Sequence, residues 1–147
     1  MKKFLVVLSL ALGISAAAVA QSRAIGIRVT NGCEISYQHN LGSNFLEGDL
    51  GWWGGGVAVS GVYDFVLASP QWSAGTWNVY AGPGAGVYLG GGTFALGVCG
   101  QIGLEYTFAS IPLQLSLDMR PNIVTISDGG LFGPAGFYPA LGIRYAF

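Results

Sequence analysis

Alternation with a period of two runs through most of this chain. Residues 94–108 set Phe94, Leu96, Val98, Ile102, Leu104, Tyr106 and Phe108 on one face, with Ala95, Gly97, Cys99, Gln101, Gly103, Glu105 and Thr107 on the other. Residues 113–120 repeat the scheme: Leu113, Leu115, Leu117 and Met119 alternate with Gln114, Ser116, Asp118 and Arg120. Side chains of a strand point to opposite faces in turn, so this pattern predicts strands; on a helix both sets would scatter round the circumference. The same reading predicts further strands at about 24–31, 33–41, 45–53, 57–67, 76–89 and 136–147, eight in all. Asn31-Gly32 has the chemistry of a two-residue hairpin turn. Gly42-Ser43-Asn44, Gly54-Gly55-Gly56, Ser69 to Gly75, Gly90-Gly91-Gly92 and Ser110 to Pro112 punctuate the other strands, and the longest loop is expected from Asn122 to Ala135. Pro83 has no N–H for a ladder, which predicts a bulge or kink around Gly82-Pro83-Gly84.

The first residues stand outside this pattern. Lys2 and Lys3 precede an apolar run from Phe4 to Ile14, and Ala18 and Ala20 bracket Val19 in the small-x-small arrangement of a cleavage site. These three parts predict a secretory signal peptide over 1–20, cleaved after Ala20, and a single domain over 21–147. Beyond it the chain has no lysine, and its charges are Arg23, Arg28, Glu34, Glu47, Asp49, Asp64, Glu105, Asp118, Arg120, Asp128 and Arg144. A soluble domain's surface carries roughly 25–35% charged residues, so water is a poor main solvent for this one. Four scattered arginines and a slightly negative balance exclude a nucleic-acid partner. After the signal no apolar run reaches eighteen residues, so a membrane helix is not available. A closed barrel is the other structure that satisfies every backbone polar group within lipid.

Charge decides which face of the barrel is which. Arg28, Glu34, Glu47, Asp49, Asp64, Glu105, Asp118, Arg120 and Arg144 all fall on the less apolar face, among mostly Gly, Ala, Ser and Thr. That face is too sparse for a water-exposed coat but suits the narrow interior of eight strands, which leaves the apolar face for lipid. Aromatic residues recur near strand ends, as interfacial girdles do: Tyr37, Phe65, Trp77, Tyr106, Phe108 and Tyr145 toward the periplasm, Trp52, Tyr88, Phe94 and Phe137 toward the exterior. Cys33 takes the outward phase and Cys99 the inward one, which predicts two free thiols rather than a disulfide.

The last strand carries a family likeness. Ile143, Tyr145 and Phe147 alternate up to a terminal phenylalanine, an ending that resembles the signal read by the outer-membrane barrel assembly machinery. The domain's length resembles small eight-stranded barrels of the OmpX and OmpA transmembrane-domain type. Segments such as Glu34-Ile35-Ser36-Tyr37-Gln38, Tyr80-Ala81-Gly82-Pro83-Gly84 and Gln101-Ile102-Gly103-Leu104-Glu105-Tyr106 are similar to small barrels of Bacteroidetes. The resemblance implies an all-β, antiparallel up-and-down transmembrane barrel in the outer membrane of a Gram-negative cell envelope. It implies outer-membrane lipid as surroundings, the assembly machinery as a partner during biogenesis, a monomer and no named surface partner.

Chemistry is sparse. The nine inward charges are expected to form an ion-paired, hydrated plug, since unpaired charge in a narrow lumen is costly. Six acids against three arginines predict carboxylates that are hydrated or share protons. Lipid A-modifying enzymes are built on similar barrels and use a histidine with a serine and an acid. His39, the only histidine, lies in the outward phase near the periplasmic end with no such partners at a readable spacing. Neither a catalytic site nor a metal or cofactor site is expected, and Gly82, Gly84 and Gly86 lack the offsets of a nucleotide loop. The expected role is therefore structural or one of surface interaction. A lipid A-modifying enzyme and a soluble exported barrel carrying an apolar ligand are the alternatives.

Overall fold

A computed structural model describes residues 23–133 and 136–147. The expected signal peptide, with Ala18 and Ala20, lies outside the described residues. The chain forms β1 (Arg23–Val29), β2 (Cys33–Leu41), β3 (Asn44–Trp53), β4 (Gly56–Ala68), β5 (Thr76–Gly90), β6 (Thr93–Thr107), β7 (Leu113–Ser127), β8 (Gly130–Phe132) and β9 (Phe137–Ala146). Each strand from β1 to β7 pairs antiparallel with the next. The ring closes because β9 pairs with β7 on one side and with β1 on the other. β8 continues the β9 stave along the upper part of β7, so nine strands make an eight-staved antiparallel barrel.

Two one-residue bulges adjust the faces. The β4–β5 register shifts between Val66 and Ala68, making Leu67 the extra residue, and the β6–β7 register shifts where Cys99 pairs with Asn122 and Val98 with Val124, making Ile123 the extra one. At Gly82-Pro83-Gly84, where a bulge or kink is expected, no register shift occurs. All three stay in register with β6, and only the pairing of Tyr63 and Asp64 to β5 is interrupted. Gly82 packs so tightly there that a Cβ would enter the carbonyl of Tyr63, so a glycine beside the proline lets the backbones approach and the register survive.

The expected Asn122–Ala135 loop is corrected more substantially. β7 continues through Ser127, Asp128 and Gly129 form a turn, and β8 returns along it. The extra residue Ile123 changes the phase in mid-strand and hides this segment from a strict period-two reading.

Strand length climbs round the ring, from 7 residues in β1 to 15 in β5, β6 and β7. Both termini, the β2–β3 turn, the Ser69–Gly75 connection and the β6–β7 connection lie at one end. Among the described residues the connections at the other end are tight, including Gly54-Gly55 and Gly91-Gly92, whose positive φ values of 58–76° favour glycine. At the closing seam, a Cβ on Gly26 would strike the backbone of Ile143 and Arg144. We predict that Gly26→Leu forces β1 and β9 apart at a cost of at least about 1–3 kcal/mol. The measurement is the loss of the heat-resistant folded band on unboiled gels; a band as stable as the parent's would refute the tight seam.

Candidate functional site: the charged lumen

The nine charged residues assigned to the inner face are buried, at 0–8% exposure. Large apolar side chains are exposed instead, including Ile27, Val59, Leu96, Leu117, Leu141 and Ile143. Strand phase alone produces this inversion, because each inward residue is flanked by two outward ones.

Arg28, Arg120 and Arg144 come from β1, β7 and β9, adjacent staves once the ring closes. Arg28 reaches Glu34, its cross-strand partner on β2, with Nη1 at 2.6 Å from Oε2. It also reaches past β9 to Asp118, where Nε donates at 3.1 and 3.2 Å and Nη2 completes the fork. Arg120 crosses to the opposite wall: its Nη2 lies 2.6 Å from both Glu47 Oε1 and Asp49 Oδ2 on β3. Its Nη1 donates to Ser60 Oγ at 3.1 Å and its Nε to Gln101. Arg144 Nη2 is 3.1 Å from Glu47 Oε2, while its other nitrogens donate to Ser36 and Ser116. Gln38 Nε2 adds a 2.8 Å bond to Glu47, so this one carboxylate ties together β2, β3, β7 and β9.

The excess acids are handled by amides. Asp64 takes a 2.9 Å bond from Gln101 Nε2. Glu105 takes bonds from Asn78 Nδ2 at 2.9 Å and Gln114 Nε2 at 3.1 Å. Three apolar or aromatic inner residues escaped the sequence reading: Phe45, Val62 and Tyr80 are all buried, and the Phe45 and Tyr80 rings meet edge to face at 5.0 Å. The readable signal was Gly103, the direct β6 partner of Tyr80, where any Cβ would enter the tyrosine ring. Tyr88, expected in the outward girdle, shares the inward phase of Tyr80 instead. It lines the cavity at the rim, with its hydroxyl 3.4 Å from the Gly54 carbonyl.

These groups form a mid-barrel layer between two vestibules that share no lining residue. The vestibule at the termini holds about 580 Å³ and is walled largely by Asn, Gln, Ser and Thr. The opposite one holds about 460 Å³ and is lined by Ala58, Tyr88, Ala95, Gly97 and Tyr138 above Arg28 and Arg120.

Other candidates lie apart from this layer. His39 sits on β2 near the termini, half-buried, with its ring stacked on Tyr37 and Nδ1 3.3 Å from the Tyr37 hydroxyl. Cys33 is exposed, Cys99 half-buried in the inward phase, and both are free thiols. Ile143 and Phe147 are exposed on the outer face, and the Tyr145 and Phe147 rings stack at 6.2 Å. Among the described residues no group of three or more His, Cys, Asp or Glu side chains is placed to hold a metal ion. No protein-family model, curated protein or solved structure matches the chain.

Breaking a buried ion pair strands its partner and costs about 3–5 kcal/mol. Replacing Arg120 by Leu strands Asp49 and leaves Glu47 with Arg144 as its one arginine, so we predict a loss of that size in urea unfolding of the refolded barrel. Asp64→Asn retains its single acceptor contact to Gln101 and should cost under about 1 kcal/mol. Equal losses from the two variants would show that the network is not organised round Arg120.

Proposed function

We propose that this chain is a transmembrane barrel of a bacterial outer membrane, with a structural role and an interior closed by the Arg28–Arg120–Arg144 network. The observation that carries the reading is the inside-out distribution of its side chains. In water, exposing the apolar rows of every stave would leave a continuous hydrophobic belt far larger than a monomeric soluble protein carries, whereas in lipid those rows are matched to their solvent. Ring closure supports the same reading, since over the height at which β1 and β9 are paired it removes the unpaired edges that hydrocarbon does not tolerate. No helix among the described residues is long and apolar enough to cross a membrane, and a strand barrel needs none.

The tight turns at the end opposite the termini favour a structural role over surface recognition. Outer-membrane barrels present partners with long exterior loops on short periplasmic turns. Here the seven-residue connection Ser69–Gly75 lies at the termini, and among the described residues the far rim offers little loop surface. In this reading the termini face the periplasm, Ile143, Tyr145 and Phe147 serve assembly, and the chain carries no catalytic activity. The lipid A mass spectrum should therefore be unchanged when the gene is deleted.

Fractionation tests the reading directly: the protein should pellet with outer membranes and migrate differently with and without boiling. A sharper test uses Leu117, which is 56% exposed near mid-height on β7. A mid-membrane arginine on the lipid face costs about 2–4 kcal/mol, whereas on a water-facing surface it is almost neutral. Leu117→Arg is predicted to lower stability in vesicles by that amount; no change would favour the soluble barrel.

A further inference from the structure

The climbing strand lengths leave a notch in the barrel wall. Pairing between β1 and β9 ends at Val29 and Leu141, and among the described residues Phe137–Ala140 and β8 are bonded on one side only, to β7. The tall β7–β9 wall therefore stands above the β1–β2 hairpin with a free backbone edge. The outer flanks of this notch are apolar, with Val29 and Leu141 exposed and Leu131 and Phe137 each 71% exposed. Inside it lies the 460 Å³ vestibule, within the roughly 300–1,000 Å³ typical of small-molecule sites.

We propose that this vestibule takes one hydrocarbon chain drawn sideways from the surrounding bilayer through the notch. The inference rests on the membrane reading above. Ala58, Tyr88, Ala95, Gly97 and Tyr138 make the walls mostly apolar and aromatic, with Thr30, Ser60, Asn122 and Thr125 set between them. The floor offers no spare charge, because Arg28 is committed to Glu34 and Asp118, and Arg120 to Glu47 and Asp49. An ionised group gains little there, while methylene groups exchange the bilayer for walls that are mostly apolar. The polar head belongs at the notch, where the free edge of β9 and β8 presents backbone groups that need partners at the membrane surface.

The test uses the full chain refolded into phosphatidylcholine vesicles containing palmitic acid with a diazirine at its chain end. After irradiation, adducts are mapped by digestion and mass spectrometry. Adducts are expected on the outward rows, as for any lipid-exposed surface, and also on inward Tyr88, Ala95 and Tyr138. Gly97→Leu provides the specificity control: a Cβ there meets nothing nearer than Thr125 Oγ1 at 3.6 Å, so the side chain fills the vestibule without moving backbone. It should reduce the inward adducts by about fivefold or more, as filling the required volume would, and leave the outward ones unchanged. Ala95→Leu serves the same purpose if the first variant loses its heat-resistant band. Outward adducts alone, or inward adducts indifferent to both fillings, would overturn the proposal. Adducts on neither face, with protein absent from floated vesicles, would overturn the membrane reading and this inference with it.

Discussion

Glu47 is the point on which the interior depends. Its carboxylate is fully buried on β3, yet it meets arginines from β7 and β9 and an amide from β2. A lone charge in that position would be prohibitively costly, and so would Arg144 without it, whereas Arg120 keeps Asp49. The ring must therefore close with β7 and β9 at the correct height relative to β3 before any of these groups can leave water. Backbone hydrogen bonds hold neighbouring staves together, but they say nothing about staves on opposite sides. The Arg120–Glu47 contact supplies that information, because a slip of one residue would turn the arginine outward and strand the acid.

This coupling explains why the charges were the most legible part of the sequence. A charged residue tolerates only one face of such a barrel, so each of the nine inward positions reports its strand's phase independently. The eight-stave fold, the strand order and the closure of β1 against the last strand follow from that phase and from the turn residues. Aromatic residues were less informative because both faces accept them. Tyr80 and Tyr88 occupy the inner phase where glycines across the ladder make room: Gly103 faces Tyr80, and Gly54, Gly56 and Gly90 surround the Tyr88 hydroxyl. Reading those rings correctly requires the register of the neighbouring strand, which local alternation does not contain.

The upper half of β7 was hidden for a different reason. Ile123 is an extra residue, so the inward set passes from Asn122 to Thr125 and Ser127, and the alternation changes phase in mid-strand. A period-two template breaks there and suggests a loop. The two faces nevertheless remain chemically consistent on both sides of the bulge: Asn122 Nδ2 donates to Thr125 Oγ1 at 2.6 Å inside the barrel, while Ile126 is exposed outside.

Asp64 and Glu105 show why counting charges does not by itself give the state of a lumen. Three arginines cannot neutralise six carboxylates, and the count suggests shared protons or water. Gln101 donates to one oxygen of Asp64, whose Oδ1 is buried without a hydrogen-bond partner among the described residues. Asn78 and Gln114 donate to the two oxygens of Glu105, and all three neutral donors add no charge. This division places the ion pairs in the mid-barrel layer and leaves Glu105 and its amides lining the vestibule at the termini. The opposite vestibule is left with mostly apolar walls, interrupted by Thr30, Ser60, Asn122 and Thr125, over a floor of spent charges. A chain that began as uniform alternation thus builds two chemically different chambers on one ring. The difference arises from where the three arginines fall along their strands.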